Sequence, residues 1–344
     1  MTRAIAALFA LLLATPALAL ECTGTNVLTQ LQRDRPEVAA RIAGEAAEVP
    51  NGEGLVWRVT DPKRAGAPAL TLFGTMHLSD PRLIDLPPAA RGAFEGADRL
   101  VLEVTELLDP AAMAGKAFQL TMLTTLTDGT TLDDLVPADA LEVVKTAARD
   151  EAGLPWSVAR RMQPFALLGQ IALPACERAR KAAGQPFLDI KLGEDAKARG
   201  LDIVGLETVE GQLGVIGRVP RAMMVAGLVD TVRMGRRIDD VFETMVQLYE
   251  EERIGLIWSL LKRMGPGGVR DPAAGVASEA EAAAYAEFQR LIVDERNGTM
   301  AEGIAPLVGK RPTFVAVGAL HLPGETGLVR LLRQRGFTVE RLTD

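Results

Sequence analysis

The sequence predicts an α/β protein with a mixed β-sheet core and a large helical insertion in the middle of the chain. Three observations predict it. Short apolar runs bounded by glycine or proline recur toward both ends, and stretches with apolar residues three to four apart fill the centre, about 109–300. The third is the order at the C-terminal end, strand, helix and strand over residues 313–342. At 344 residues and 48% apolar side chains, the chain can bury a large core and is too apolar to be mostly disordered.

Residues 1–19, MTRAIAALFALLLATPALA, read as a secretory signal peptide: Arg3, an apolar run over 4–14, the breaker Pro16, then small residues at Ala17 and Ala19. The run is about half of the roughly 20 residues a membrane span needs. No later segment is long and apolar enough to cross a bilayer, and Glu21 before Cys22 argues against a lipoprotein signal. The expected mature domain is therefore 20–344, periplasmic or secreted, with no stable membrane insertion. In such a compartment two cysteines invite a disulfide, and Cys22 with Cys176 is the one pairing available; the alternative is two unpaired thiols.

Residues 55–59 and 69–74 read as strands joined by a turn-rich 61–66 segment, a hairpin pattern. A helix over 88–97 and a strand over 100–104 follow. Helical periodicity marks 155–183, 188–199, 221–237, 238–261 and 278–296, the last terminated by Asn297-Gly298, and a strand at 201–206 interrupts them. Residues 264–275, rich in glycine and proline, read as a loop. The chain closes with a strand at 313–317, a helix at 327–335 and a strand at 337–342.

Composition excludes several function classes. Forty-five acidic against 38 basic residues leave a net charge of −7, which argues against nucleic-acid binding. Two cysteines cannot build a zinc ribbon or an iron–sulfur site, and two histidines cannot supply three imidazoles in one copy. His-Glu-x-x-His, Gly-x-Ser-x-Gly and Gly-x-Gly-x-x-Gly are absent, and the near phosphate loop at Gly303…Gly309-Lys310-Arg311 has the wrong spacing.

Both histidines sit in one local pattern. An apolar strand runs into Gly74-Thr75-Met76-His77, and another into Gly318-Ala319-Leu320-His321. Ligands of α/β sheets collect beyond the carboxyl ends of strands, so two such imidazoles suit a divalent metal with carboxylates completing the shell. Glu103 lies in the apolar run 100–104, where charge is costly unless paired or metal-bound; a solvent-facing edge strand is the alternative. Glu207 follows the strand at 201–206, either in the same crevice or as a helix N-terminal carboxylate beside Thr208. Arg296, at a helix end, either faces solvent or turns inward to stabilise an oxyanion or hold a carboxylate.

These segments together resemble the TraB/GumN family, whose members include the Tiki metalloproteases. The residues that carry the resemblance are 72–77 (LFGTMH), 100–104 (LVLEV), 205–212 (GLETVEGQ), 295–297 (ERN) and 315–324 (VAVGALHLPG). The resemblance implies an α/β fold related to erythromycin esterase and haem-binding ChaN-like proteins. It also implies metal-dependent peptidase chemistry with paired Gly-x-x-His motifs and a glutamate, supported by manganese or cobalt. Carried over, His77 and His321 are metal ligands or immediate metal partners, Glu103 is a ligand or the general base, and Glu207, Arg296 and Asn297 line the same cleft. The expected function is thus an exported hydrolase that uses Mn, Co or Zn on a peptide or protein substrate. A periplasmic haem- or ligand-binding protein without turnover is the alternative.

Overall fold

The computed structural model describes residues 22–274 and 279–343; the expected leader at 1–19, and position 278 where a helix is expected to start, lie outside the described residues. Eight strands occur among the described residues: β1 (Val56–Thr60), β2 (Leu70–Thr75), β3 (Arg99–Leu102), β4 (Asp202–Gly205), β5 (Met264–Gly265), β6 (Gly268–Val269), β7 (Thr313–Gly318) and β8 (Thr338–Arg341). Six form one mixed sheet in the order β4-β3-β7-β2-β1-β8. The neighbours β4, β3, β7 and β2 all run parallel, while β1 is antiparallel to β2 and to β8. The expected α/β class and the β1–β2 hairpin are both present.

Helices cover both faces of the sheet, which is why its central strands read as continuous apolar runs rather than alternating ones. Phe73, Leu100, Leu102 and Phe314 face one buried layer with Ile42, Leu188 and Ile257. Their strand neighbours Leu72, Val101, Val315 and Val317 face the other, packed on Met300, Ile304, Leu328 and Leu332. A separate helical core gathers Leu132, Ala140, Val144, Leu167, Ile171 and Leu228. The helix Pro110–Thr124 has no buried residue and is tied to helix Val209–Ile216 through Lys116 and Glu210. No helix of the described residues is long and apolar enough to cross a membrane.

Several elements differ from expectation for identifiable reasons. The 155–183 helix is three helices, Trp156–Ala159, Pro164–Ile171 and Ala175–Ala182, because Pro164 and Pro174 each force a new start. The 238–261 helix breaks between Glu250 and Ile254, where Glu252 adopts a left-handed φ of 56°. The expected loop at 264–275 contains the two-residue strands β5 and β6, paired antiparallel. Asn297-Gly298 does not end a helix. Helix Glu279–Gln289 passes through a π-helical turn, Arg290–Glu295, and continues as helix Arg296–Ile304. Asn297 is tolerated inside that helix because its amide is satisfied by tertiary partners instead of competing for the backbone.

The Cys22–Cys176 disulfide is formed, with 5.3 Å between the Cα atoms. It ties the start of the described chain to helix Ala175–Ala182, and the neighbouring residues dock through Thr25 N–H on Asp240 and Val27 N–H on Thr244.

Candidate functional site

Four parallel strands side by side bring their carboxyl ends to one edge, and four candidate residues follow those ends. His77 follows β2, His321 follows β7, Glu103 follows β3 and Glu207 follows β4. Glu103 is one residue past its strand, and β3 is an interior strand between β4 and β7, so the solvent-facing edge reading is overturned. Its carboxylate is 7% exposed and fully engaged. Oε1 accepts the Gly318 amide N–H at 2.7 Å, and Oε2 accepts Arg296 at 2.7 Å and Gln212 Nε2 at 3.1 Å.

Both imidazoles converge on Glu103 Oε1: His321 Nε2 lies 3.8 Å from it and His77 Nε2 4.0 Å. The opposite ring nitrogens are anchored. His77 Nδ1–H donates to Asp189 Oδ2 at 3.1 Å, and Asp189 Oδ1 accepts the Thr75 hydroxyl at 2.9 Å. His321 Nδ1–H donates to Asn297 Oδ1 at 2.7 Å, while Asn297 Nδ2 donates to the Thr326 carbonyl at 2.9 Å, which fixes which way the amide faces. An acceptor on Nδ1 sets the tautomer and leaves Nε2 to act, the arrangement that second-sphere partners impose on metal-ligating histidines.

The two glycines of the Gly-x-x-His motifs serve different ends. The register pairs Thr75 with Gly318 and Gly74 with Val317, so the motifs are offset by one residue. The chain after β2 stays irregular, whereas after β7 it coils into a 3-10 turn, Ala319–His321. A Cβ on Gly74 would lie 2.9 Å from Ala319 Cα, so this glycine lets the turn bearing His321 pack against β2. A Cβ on Gly318 would instead enter the space among the functional groups, 3.3 Å from Glu103 Oε1, 3.5 Å from His321 Cδ2 and 3.6 Å from His77 Nε2.

Electrostatics divides the two histidines. The His77 ring is about half exposed, and although desolvation works against its charge, Asp189, by charge and hydrogen bond, together with Glu103 outweighs it and pushes the imidazole up to about 9. At His321 burial dominates and pushes the value down to about 4 against the pull of Glu103. Burial would raise Glu103, but His321, His77, Arg296 and the Gly318 amide hold it at about 2. The cluster therefore joins an ionised carboxylate to one charged and one neutral imidazole at pH 7, and a cation that binds His77 Nε2 must displace its proton.

Arg296 is drawn inward rather than left at the surface. Its Nε and Nη2 grip Glu207 at 3.0 and 2.6 Å while Nη2 also reaches Glu103. Gln212 joins the same two carboxylates at 3.1 Å each. Glu207 is thus committed to Arg296 and Gln212, and the cap of helix Val209–Ile216 is Thr208, whose Oγ1 accepts Gly211 N–H. Asp189 escapes sequence inspection, whereas Gln212 closes the 205–212 segment that carries the family resemblance but receives no role there. Asp189 is the second residue of helix Leu188–Ala198, where an acidic side chain has an ordinary helix-end explanation; its apolar neighbours Leu188 and Ile190 are the one local hint that it is buried.

The irregular stretch after His77 is held from below. Ser79 N–H donates to Glu177 at 2.6 Å, and Asp80 pairs with Arg82 and Arg180. Glu177 neighbours Cys176 in helix Ala175–Ala182, so the disulfide and the His77 loop share one support.

The donor set suits a divalent cation: two Nε2 atoms with anchored Nδ1 groups, one carboxylate oxygen, and a small space that a Cβ on Gly318 would fill. The spacings of 3.8 and 4.0 Å are somewhat wider than the roughly 3.4 Å between neighbours in a tetrahedral shell of bonds near 2.1 Å. Among the described residues no group of three or more His, Cys, Asp or Glu is arranged so that it could hold a metal ion.

Comparison with known proteins locates this arrangement. Residues 55–341 match the model of the TraB/PrgY/gumN family. The chain is 23% identical, over 327 residues, to a Danio rerio protein named Metalloprotease TIKI2; the match covers 83% of this chain and 60% of that protein. No solved structure matches the chain.

Proposed function

Because the chain belongs to the TraB/PrgY/gumN family, we propose that it is an exported metal-dependent hydrolase acting on peptides or proteins, with His77, His321 and Glu103 at its centre. The observation that carries this reading is the convergence of two anchored Nε2 atoms on one carboxylate oxygen. A relative named as a metalloprotease supports it, and the disulfide accords with a periplasmic or secreted location.

His77 and His321 would hold the metal ion, with Glu103 Oε1 beside them. A divalent ion there supplies Lewis acidity toward a scissile carbonyl and toward the attacking water. Glu103 takes the water's proton at Oε1 and delivers it to the leaving amine. Arg296 and the Gly318 amide hold that carboxylate ionised and fixed in direction. Glu207 balances the charge of Arg296 and keeps its guanidinium in place. Asn297 and Asp189 orient the imidazoles. This assigns Arg296 to carboxylate positioning.

The haem-binding alternative meets a size argument. The cavity beside His77 and Glu103 measures about 180 Å³, below the roughly 300–1,000 Å³ that encloses a larger organic ligand.

The test is elemental analysis of protein expressed to the periplasm, followed by a peptide-library screen with added Mn²⁺, Co²⁺ or Zn²⁺. A bound divalent ion and EDTA-sensitive cleavage are expected, both lost in His77→Ala and His321→Ala variants that remain folded. Full metal occupancy in the double variant overturns the reading.

A further inference from the structure

One wall of the site carries no charge. Val104 and Leu107 follow β3, Phe187 and Ile190 stand at the start of helix Leu188–Ala198, and together with Leu102 they enclose the cavity of about 180 Å³ that opens beside His77 and Glu103. Phe187 meets the His77 ring edge-on at 5.3 Å, so the apolar wall and the reacting groups are in direct contact. Leu107 is 46% exposed, an apolar side chain left partly in water beside that cavity.

The polar side chains of the cavity are already engaged. His77 and Asp189 bond each other, Glu103 holds Gly318 and Arg296, and Gln212 donates to Glu103 and Glu207. Away from His77 Nε2, what the cavity offers an entering group is therefore apolar contact, and a charged or amide side chain laid against Val104, Leu107, Phe187 and Ile190 is desolvated without a partner there.

We propose that this cavity is a specificity subsite that takes an apolar side chain of leucine to phenylalanine size from a peptide substrate and so seats the adjoining peptide bond at Glu103 and the two histidines. The inference rests on the hydrolase reading for its substrate class. The occupant follows from the lining: aliphatic and aromatic walls on Val104, Leu107, Phe187 and Ile190, continuous with the reacting groups.

The experiment uses the full chain and fluorescein-labelled heptapeptides of glycine and alanine carrying one central leucine, alanine or aspartate. Binding is read by fluorescence anisotropy in EDTA, where no turnover intervenes, and cleavage is read as kcat/KM with Mn²⁺ added. The leucine peptide is expected to exceed the alanine peptide at least about tenfold in both, since a single methylene in an apolar pocket discriminates about 10- to 200-fold. Ile190→Trp, which fills the cavity, should collapse that ratio toward one. Leu107→Trp, at a partly exposed position, gives a second occluding variant with little risk to folding.

Equal binding of the three peptides overturns the subsite, as does a leucine preference unchanged in both occluding variants. Cleavage indifferent to the central residue refutes the subsite and leaves the hydrolase standing. Selective binding of the leucine peptide without cleavage under any metal refutes the hydrolase and leaves the subsite standing. Neither binding nor cleavage of any peptide overturns both.

Discussion

Replacing Asn297 by alanine tests the anchoring of His321 most directly. The side chain is fully buried, so no water takes over its two hydrogen bonds. The substitution orphans the His321 Nδ1–H and the Thr326 carbonyl, and each unsatisfied buried group costs about 1–3 kcal/mol. Alanine returns about 0.5 kcal/mol through its better helix propensity within Arg296–Ile304. The net loss is about 1.5–5.5 kcal/mol, measurable as a shift of the urea unfolding midpoint. Affinity for Mn²⁺, read by competition with a chelating dye, should fall about 10- to 100-fold, the usual effect of removing a partner that orients a ligand. Asn297→Asp separates the two bonds, because it keeps an oxygen facing His321 and loses the donor to Thr326. It should hold metal affinity within about tenfold of the parent while still losing stability. Stability within about 0.5 kcal/mol of the parent, together with unchanged affinity in Asn297→Ala, would refute the anchoring argument.

The two motif glycines should respond differently to alanine. Gly74→Ala forces the Ala319–His321 turn off β2 and lowers the melting temperature, whereas Gly318→Ala leaves folding near normal and removes metal binding, checked by calorimetry alongside elemental analysis. Serine in place of both Cys22 and Cys176 opens a closure of 154 positions, which the chain-entropy relation values at about 5 kcal/mol and typical bridges at about 2–4; unfolding at equal denaturant in reduced parent and variant checks that the bridge is the cause. Acid should weaken the support beneath His77. Arg82 bonds hold Glu243 below the ordinary carboxylate range, and at Asp80 they do so against burial. Stability from a depressed carboxylate is complete above its unfolded value near 4 and is lost as pH falls through the folded value. The destabilisation caused by Arg82→Ala should therefore be largest at pH 7 and shrink toward pH 3 in denaturant titrations, and a gap independent of pH would count against the network.

The sheet was readable from local pattern because strand runs such as 69–74 and 313–317 are buried on both faces and are apolar apart from Thr71 and Thr313. Helix continuity was less legible. Asn297-Gly298 has the local chemistry of a terminator, and the buried partners that override it, His321 and Thr326, lie 24 and 29 positions away. Asp189 stayed hidden for the same reason, since the histidine it orients is 112 residues earlier.

By itself the sequence determined which residues could take part: two histidines at strand ends, a glutamate in an apolar run and one possible cysteine pair. Tertiary structure alone decided how they are used. Parallel packing of β3, β7 and β2 set both Nε2 atoms against Glu103, and the crossover helices supplied Asp189 and Asn297 as anchors. It also assigned Glu207 to Arg296 and set the two Gly-x-x-His motifs one residue out of register. Periodicity and turn chemistry act over a few neighbouring residues, whereas a buried hydrogen bond or charge is satisfied by whichever residue the folded chain brings within about 3 Å.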